Sequence, residues 1–458
     1  MQHLQNHFNP HTSIITGKNM PILSIIIDKI TIFTPIIIDT MDKTLIKRLI
    51  VEYQRLPQEI NFIKRDIALS NNLNYVLVGL RRSGKSYLLY QKINDLIADG
   101  HSRDEILLLN FEDERLLGIQ LNDLDMILEC YAEMYPHKPI VFLDELQVVA
   151  GWEHFARRLA DQKYRVYITG SNAKMLSTEI AGSLGGRFMV KRIFPYSFRE
   201  FLNAHGIQPE ANWINSPQRH EIAREFTGYF QFGGLPELSD VEPPIRRQWL
   251  QNLFDKIFFG DILLRYNIRN ASAVKILVKK LAESVKQPSS FTRLANIMST
   301  VGAKISSETV ADYLSYAKDS CLIFEIENYA AKIAERASNK KYYFADNGLL
   351  NLFLFDPTTS LLENIVALTL NQTGKETCFY HNGIEVDFLL WEDAHAIQVC
   401  YSMHKESTRN RKIAALTALA QAMPLKQMTI VTYDDKESIE TPAGIIEVIP
   451  VYEWMLRP

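Results

Sequence analysis

The chain of 458 residues is too long for one ordinary core, and at about 150 residues per domain its length predicts about three domains. Hydrophobic residues make up 47% of the chain and charged residues 22%, which is typical of a soluble globular protein. Because the net charge is only -3, we expect no global attraction to nucleic acid or to an anionic membrane, and any basic surface must be local.

The four cysteines, at positions 130, 321, 378 and 400, show no CxxC spacing. A zinc site or a redox pair is therefore not expected. Free thiols are typical of the reducing cytoplasm, which is the location that the sequence favours.

The amino-terminal stretch 21–40 is very apolar but is interrupted by Asp28, Lys29 and Pro35. It is too broken for a membrane span, and no small-residue cleavage site follows a basic start. Met41 begins a more ordinary amphipathic stretch. We therefore hypothesise that Met41 is the true start, and that residues 1–40 are a disordered or untranslated extension.

From residue 41 the pattern predicts a helix over 41–68, followed by strands that alternate with helices. The helix at 86–99 ends at Gly100. Continuous apolar strands separated by helices predict an α/β fold with a parallel sheet covered on both faces. The strand-like runs are 75–78, 106–111, 140–143 and 166–169.

The segment 79–86, GLRRSGKS, fits the P-loop pattern GxxxxGK[ST]. Its glycines let the backbone curl so that N–H groups face phosphates, and the following helix adds its positive dipole end. We expect Lys85 to reach the β- and γ-phosphates of ATP and Ser86 to hold Mg²⁺, whereas the side chains of Arg81 and Arg82 are expected to face solvent. The predicted cofactor-binding residues in this segment are Gly79, Arg82, Ser83, Gly84, Lys85, Ser86 and Tyr87.

A second motif is the apolar strand that ends in Asp144 and Glu145, 59 residues beyond Lys85. In open α/β sheets ligands bind at the carboxyl ends of the strands. Asp144 is therefore predicted to bind magnesium, directly or through water, and Glu145 to orient and deprotonate the attacking water. An acidic turn at the end of a strand is the alternative for this motif taken alone.

Two further positions are candidates for contacts with the γ-phosphate. Ser171 and Asn172 follow the next strand, where a small polar side chain can sense the phosphate or cap the following helix. Arg187 is a candidate arginine finger for the nucleotide of a neighbouring subunit, or else an ordinary surface arginine. A finger in trans would need an oligomer, and the sequence leaves a monomer equally open.

Several motifs in this order resemble a group of bacterial and archaeal AAA-type ATPases. The matching segments are GLRRSGKSYLL, LLLNFEDERL, VFLDELQ, YITGSNAKML, SLGGR, FPYSFREFL, FGGLPEL, YYFADNGLL, LLENIVALTL and GIEVDFLL. The resemblance covers about 41–458 and implies the roles given above for Gly84, Lys85, Ser86, Asp144 and Glu145. It also implies a helical region after the ATPase, a winged-helix-like unit and a carboxyl-terminal domain of restriction-endonuclease-like fold.

The predicted domain order follows from these patterns. It comprises an extension (1–40), an AAA-type P-loop ATPase domain (41–205), a helical lid (206–268), a winged-helix-like domain (269–345) and a restriction-endonuclease-like domain (346–458). Strands in the last domain are predicted at 384–390, 395–400, 428–433 and 445–451.

The carboxyl-terminal domain carries most of a nuclease constellation. Nucleases of that fold use a helix glutamate, a strand aspartate and a Glu/Gln-x-Lys on the next strand, and here these positions hold Glu363, Asp387, Gln398 and Cys400. A mostly neutral thiol cannot replace the lysine, and Lys405 could do so only if its side chain turned back, with His404 a weaker candidate. We therefore expect an inactive domain, with Glu363 and Asp387 in structural hydrogen bonds.

The helix–turn–helix pattern at 290–320 resembles a winged-helix reader, but its second helix offers Glu308, Asp312 and Asp319 against Lys318. Since docking to phosphates needs basic side chains, packing or contact with a partner is favoured over DNA reading. The run 405–412 is the densest basic stretch and is interpreted as a solvated helix face.

Three functions follow from the sequence. The first is an ATPase whose hydrolysis drives a conformational switch, acting on DNA or on a protein partner. The second is a non-catalytic, nucleotide-gated scaffold that binds DNA or a protein, and the third is an ATP-regulated nuclease. Glu145 favours the first over the second, because a gate needs no base that activates water, and Cys400 disfavours the third.

Overall fold

The computed structural model describes residues 42–332, 335–336 and 339–457. The predicted extension 1–40 and the proposed start at Met41 therefore lie outside the described residues. In the part of the chain that is described, no helix is long and apolar enough to cross a membrane.

The first unit is a five-stranded parallel sheet in the order β2-β3-β4-β1-β5, as the alternating pattern predicts. Helices lie between the strands, and the central strands are buried on both faces. Its strands are β1 (Asn74–Val78), β2 (Ile106–Asn110), β3 (Ile140–Asp144), β4 (Arg165–Gly170) and β5 (Phe188–Arg192). Its helices are α1 (Lys43–Glu59), α2 (Lys85–Ala98), α3 (Leu124–Met134), α4 (Trp152–Asp161) and α5 (Thr178–Leu184).

The predicted helix over 41–68 is wrong beyond Glu59, where α1 ends. Beyond it the chain runs without helix or strand toward the glycine loop, and Arg65 anchors this segment. The Arg65 guanidinium donates to both carboxylate oxygens of Glu200 and to the carbonyls of Ser83 and Phe194 at 2.8 to 3.0 Å. These contacts across the molecule outweigh a local helical preference.

A helical region follows the sheet. It contains α6 (Phe198–Ala204), α7 (Gln218–Phe232), α8 (Arg246–Lys256) and a π-helix (Ile257–Leu264) that continues α8 directly. Helices with i→i+5 bonds are rare and occur frequently at functional sites.

The next unit combines helices with a small antiparallel sheet in the order β6-β8-β7. In chain order its elements are α9 (Ala271–Glu283), β6 (Ser289–Ser290), α10 (Phe291–Thr300), α11 (Ser307–Asp319), β7 (Ile323–Ile326) and β8 (Asn339–Phe344).

The carboxyl-terminal unit is built on a six-stranded mixed sheet in the order β13-β14-β12-β11-β10-β9. All four predicted strands are present, within one residue at their starts. The strands are β9 (Cys378–His381), β10 (Glu385–Leu390), β11 (His395–Val399), β12 (Gln427–Thr432), β13 (Glu437–Thr441) and β14 (Gly444–Pro450). The helices are α12 (Asn347–Asn351), α13 (Thr358–Gln372), α14 (Glu406–Ala422) and α15 (Val451–Met455).

Asp346 joins the helical region to the carboxyl-terminal unit. Its buried carboxylate accepts hydrogen bonds from the backbone N–H groups of Gly234, Gly348 and Leu349 at 2.8 to 3.2 Å. Gly233 has a φ of 79°, and a Cβ there would lie 2.1 Å from the Asp346 carboxylate. The glycines of FGGLP and ADNGLL are therefore required for the two segments to pack together.

Candidate nucleotide site

The glycine loop 79–86 connects β1 to α2 at the carboxyl end of the sheet. Gly84 has a φ of 90°, which favours glycine, and α2 begins at the next residue. Gly79 lies against the carboxyl end of β5, since a Cβ there would be 2.0 Å from the carbonyl oxygen of Ile193, the residue that follows the strand. The two glycines thus form the turn and the close approach that a phosphate-binding loop needs.

Lys85 is buried inside this loop. Its Nζ lies 3.2 Å from the carbonyl oxygens of Gly79 and Leu80, and 3.1 Å from Oε1 of Glu145. The loop therefore holds the ammonium group next to the carboxyl end of β3, where phosphates bound on the loop's N–H groups would reach it.

Asp144 is the last residue of β3 and is 2% exposed. Its Oδ1 accepts a hydrogen bond of 2.5 Å from the Thr169 hydroxyl on the neighbouring strand. Burial, and then the charge of Glu145, raise the pKa of Asp144 to about 6, although the hydroxyls of Thr169 and Ser86 lower it. A buried carboxylate beside a serine hydroxyl is a pair of hard oxygen donors that suits Mg²⁺.

Glu145 follows in a left-handed backbone conformation, with a φ of 53°. Its Oε2 accepts hydrogen bonds from the Gln147 amide at 2.6 Å and from the Ser171 backbone N–H at 3.1 Å. Burial opposes its charge, but the Lys85 ammonium and the Gln147 amide outweigh burial and lower the pKa of Glu145 to about 2. The glutamate is thus charged and fixed in place.

The two candidate sensor residues contact different groups. Ser171 is fully buried, and its hydroxyl accepts a hydrogen bond of 3.3 Å from the Gln147 amide while its backbone N–H donates to Glu145, so it supports Glu145. Asn172 accepts a hydrogen bond of 3.0 Å from the backbone N–H of Lys174 and caps the short 3-10 helix Ala173–Leu176. The capping alternative therefore describes Asn172, while a contact of either residue with a phosphate stays a prediction.

A cavity of about 240 Å³ opens in front of the loop and contains most of the predicted residues. Four polar residues in its wall were not predicted from the sequence, namely Asn110 at the end of β2, Glu112 just beyond it, Glu237 after α7 and Lys256 at the end of α8. Asn110 and Glu112 could have been found, since they lie at the carboxyl end of a parallel strand, at the same edge of the sheet as Asp144. The cavity is lined by Arg81, Arg82, Gly84, Lys85, Ser86, Tyr87, Asn110, Glu112, Asp144, Glu145, Pro236, Glu237 and Lys256.

A second cavity, of about 320 Å³, adjoins the first and shares Gly84, Tyr87, Pro236 and Glu237 with it. Its wall includes the aromatic rings of Phe62 and Tyr87, whose centroids are 6.1 Å apart. The extended segment after α1, which the sequence had predicted to be helical, supplies part of this wall.

The expectation that Arg81 faces solvent is wrong, because its side chain is 15% exposed. Its guanidinium is paired with Asp261 of the π-helix at 2.5 Å and with Glu112 at 2.7 Å. Arg82 is 42% exposed, as expected, and pairs with Glu237 while its guanidinium carbon lies 5.3 Å from the ring of Trp249. Local sequence could not show these partners, which come from up to 180 residues away.

Arg187 lies at the opposite end of the sheet from the loop. Its backbone carbonyl accepts a hydrogen bond from Asn74 at the start of β1, and its guanidinium pairs with Asp161. A contact with the nucleotide of its own chain is therefore out of reach, and action on a neighbouring subunit stays a prediction.

The predicted nuclease constellation does come together in the carboxyl-terminal unit, but with lysines that the sequence analysis missed. Lys412 of α14 places its Nζ 2.6 Å from both Asp387 Oδ2 and Gln398 Oε1. Lys341 of β8 lies 3.3 Å from Glu363 Oε1 and 3.7 Å from Asp387 Oδ1. We call these five residues the lysine–carboxylate cluster.

The three residues considered at the lysine position lie elsewhere. Cys400 donates its S–H to the carbonyl of Ser402 at 2.9 Å, and Lys405 and His404 are exposed. A signal for Lys412 did exist, because it shares the buried face of α14 with Leu416 and Leu419 at helical spacing. The interpretation of 405–412 as a solvated face is therefore wrong at Lys412.

The sheet order, the glycine loop and the acidic strand end together define a P-loop nucleotide-binding fold of the AAA type. Residues 71–202 match the family model of an AAA domain, and residues 223–359 match that of a domain of unknown function, DUF8612. The chain is 32% identical over 429 residues to the uncharacterized protein MJ1544 of Methanocaldococcus jannaschii. The aligned region covers 90% of this chain and 96% of that protein. The chain therefore belongs to the same family as MJ1544.

A second relative is an uncharacterized protein of Haemophilus influenzae, 28% identical over 83% of this chain and 94% of its own length. Among solved structures, a Walker-type ATPase of Pyrococcus abyssi is 15% identical with a TM-score of 0.38, and covers 68% of this chain and 95% of its own. AMPPCP-bound DnaA from Aquifex aeolicus is also 15% identical, with a TM-score of 0.24 over 59% of this chain and 87% of its own.

Proposed function

We propose that the protein binds ATP with Mg²⁺ and hydrolyses it to drive a conformational switch. One observation carries the proposal: Lys85 of the glycine loop and Glu145 at the end of β3 lie 3.1 Å apart in the wall of one cavity. An ammonium group that can reach phosphates and a carboxylate that can orient water, lining one cavity, are two of the groups that P-loop enzymes use on a terminal phosphate.

The loop's own residues would bind and orient the triphosphate. Backbone N–H groups between Arg82 and Tyr87 would hold the phosphate oxygens at the amino end of α2. Lys85 would exchange its contact with Glu145 for a contact with the phosphates, since both compete for one ammonium group. Glu145, then held by Gln147 and Ser171, would orient the attacking water and accept its proton.

The residues also fit the metal. Ser86 and Asp144 supply a hydroxyl and a carboxylate oxygen, the hard ligands that Mg²⁺ prefers. When bound, magnesium would neutralise charge that develops on the phosphate oxygens.

The second cavity is the proposed place for the base of the nucleotide. It adjoins the first cavity, in front of the glycine loop, and Phe62 and Tyr87 supply aromatic surface on which a purine could pack. Arg65 fixes this wall to the glycine loop, because its Nη1 donates to the carbonyl of Ser83 at 3.0 Å.

The ATP-regulated nuclease is not favoured. Each side chain of the lysine–carboxylate cluster is buried, and both carboxylates already face an ammonium group. Lys412 bridges Asp387 and Gln398, and Lys341 faces Glu363 and Asp387, the two carboxylates that would hold a catalytic metal. The lysine–carboxylate cluster therefore supports a non-catalytic carboxyl-terminal unit, in which the protein's own lysines neutralise the two carboxylates.

We propose that the conformational switch acts on DNA or on a protein partner. The order helix, strand, two helices and two strands over 271–344 supports the winged-helix-like interpretation. Its third helix, α11, is poorly suited to phosphates, since Asp319 accepts a hydrogen bond of 2.8 Å from Tyr266 and Lys318 pairs with Glu325. These contacts favour packing and a protein partner.

The experiment is a phosphate-release assay on the wild type, Lys85→Ala and Glu145→Gln, each with and without DNA. We expect release by the wild type, none by either variant, and retained ATP binding by Glu145→Gln. ATP binding without release under any condition would identify the nucleotide-gated scaffold instead. Stimulation by DNA would identify nucleic acid as the partner.

A further inference from the structure

The glycine loop is held from outside by the helical region. All three nitrogens of the Arg81 guanidinium have a carboxylate partner. Nε and Nη2 donate to the two carboxylate oxygens of Asp261 at 2.5 and 3.0 Å, and Nη1 lies 2.7 Å from Glu112. A bidentate, charge-assisted pair of this kind fixes geometry as well as adding energy. The third residue of the loop is thereby tied to the π-helix 180 positions away.

Asp261 is nearly inaccessible, at 1% exposure, and it also accepts a hydrogen bond of 2.9 Å from Arg265. It lies within the π-helix, a conformation that is rare and that local sequence does not require. A buried carboxylate that faces two arginines is expensive to leave unpaired. Asp261 is therefore fixed with respect to the helical region, and Arg81 with respect to Asp261.

The connection from Arg81 to the proposed reacting groups is short. The carbonyl groups of Gly79 and Leu80, which directly precede Arg81, hold the Nζ of Lys85 at 3.2 Å. A shift of the backbone at Arg81 would therefore move the groups that orient the lysine. The neighbouring Glu112 lines the same cavity as Lys85 and Glu145.

We infer that Asp261 is a positioning residue for the nucleotide site, which acts through Arg81 to hold the glycine loop in its phosphate-binding shape. This inference rests on the proposed ATPase function. It makes the loop's geometry depend on where the helical region lies, so that nucleotide binding and the downstream units are mechanically coupled.

The test is a double-mutant cycle between Arg81→Ala and Asp261→Asn, with the KM for ATP and kcat measured by phosphate release. Asp261→Asn is nearly isosteric but removes the charge, and we expect it to raise KM about tenfold, the equivalent of 1.4 kcal/mol, with a smaller change in kcat. In the Arg81→Ala background the same change should alter KM less than twofold, since the connection is already broken.

Arg265→Ala is the matched control, because it removes the other arginine partner of Asp261 without touching the loop. We expect its KM to equal that of the wild type. An equal KM increase from Asp261→Asn in both backgrounds would reduce Asp261 to a general structural role, and an unchanged KM would overturn the inference.

A fluorescent ATP analogue separates the two proposals. If the wild type neither binds the analogue nor releases phosphate, the proposed function fails. If the wild type is active and Asp261→Asn matches it, only the positioning role fails. If Asp261→Asn does not fold, Arg81→Lys is used in its place, since one ammonium group cannot reproduce the two-point contact of the guanidinium with Asp261. An unchanged KM in that variant would equally overturn the inference.

Discussion

The Nζ of Lys412 lies 2.6 Å from Oδ2 of Asp387, on a helix that starts 19 residues beyond that aspartate. Burial alone would raise the pKa of Asp387, but Lys412 and then Lys341 outweigh burial and lower it. The carboxylate is thus kept charged by ammonium groups inside the protein. The constellation that resembles a nuclease site forms a buried ionic cluster that joins β8, α13, β10, β11 and α14.

Lys412→Met tests this structural role. Removing one partner of a buried ion pair leaves an uncompensated charge, so we expect the free energy of unfolding to fall by about 3–5 kcal/mol. Chemical denaturation measures the change. The double variant Lys412→Met with Asp387→Asn should lose less stability than the sum of the two single variants, because both charges are then absent.

The lysine–carboxylate cluster predicts that added metal ions do not bind there. Mg²⁺ or Mn²⁺ should not raise the melting temperature of the Lys85→Ala variant, and plasmid DNA should stay intact. DNA cleavage by the wild type that Asp387→Ala abolishes would contradict this prediction.

Gly79→Ala tests the close approach of the glycine loop to β5. The added Cβ would lie 2.0 Å from the backbone oxygen of Ile193, so the loop or the strand must shift. We expect ATP binding to be lost and stability to fall by about 1–3 kcal/mol, as in overpacked cores. Gly182→Ala is the control, since that position in α5 has open space around it and should keep both binding and stability.

Lys256→Ala tests whether the helical region supplies a phosphate contact. The exposed Lys256 side chain lines the cavity in front of the glycine loop and forms no ion pair with any described residue. We expect the dissociation constant for ATP to rise about tenfold, the value of one charge-assisted hydrogen bond, without a change in melting temperature. Lys275→Ala, an exposed lysine on α9, serves as the control and should bind ATP normally. Equal affinities of the two variants would exclude a contact by Lys256.

His395 predicts a dependence of stability on pH. Burial lowers the pKa of His395 to about 4, below the value of about 6.5 in an unfolded chain. The native state therefore binds fewer protons than the unfolded state between these values, and stability is lost as the pH falls through this window. We expect a loss of about 2 kcal/mol from this group between pH 7 and pH 5.

Urea denaturation of the wild type and His395→Asn at both pH values isolates this contribution from that of other titrating groups. The wild type should lose about 2 kcal/mol more than the variant on acidification. An equal loss in both proteins would mean that His395 does not titrate in this range.

The sequence by itself determined the elements whose signals are local. The P-loop spacing, the apolar strand ending in Asp144 and the alternation of strands and helices sufficed for the AAA-type sheet, because each depends on the backbone and on neighbours close in the chain. The pattern also located all four predicted carboxyl-terminal strands. It did not predict that the chain after Glu59 leaves the helix, because Arg65 is held by partners more than 100 residues away as well as nearby.

Only the tertiary structure decided how charged side chains are paired. Arg81 appeared solvent-facing and Lys412 part of a solvated basic run, yet both are largely buried beside carboxylates from distant segments. A charge can be buried only where a partner offsets its desolvation, and that partner is chosen by the fold and not by proximity in the chain. For this reason the glycine loop could be recognised from eight residues, whereas the contacts that hold it and the lysines that fill the carboxyl-terminal cluster could not.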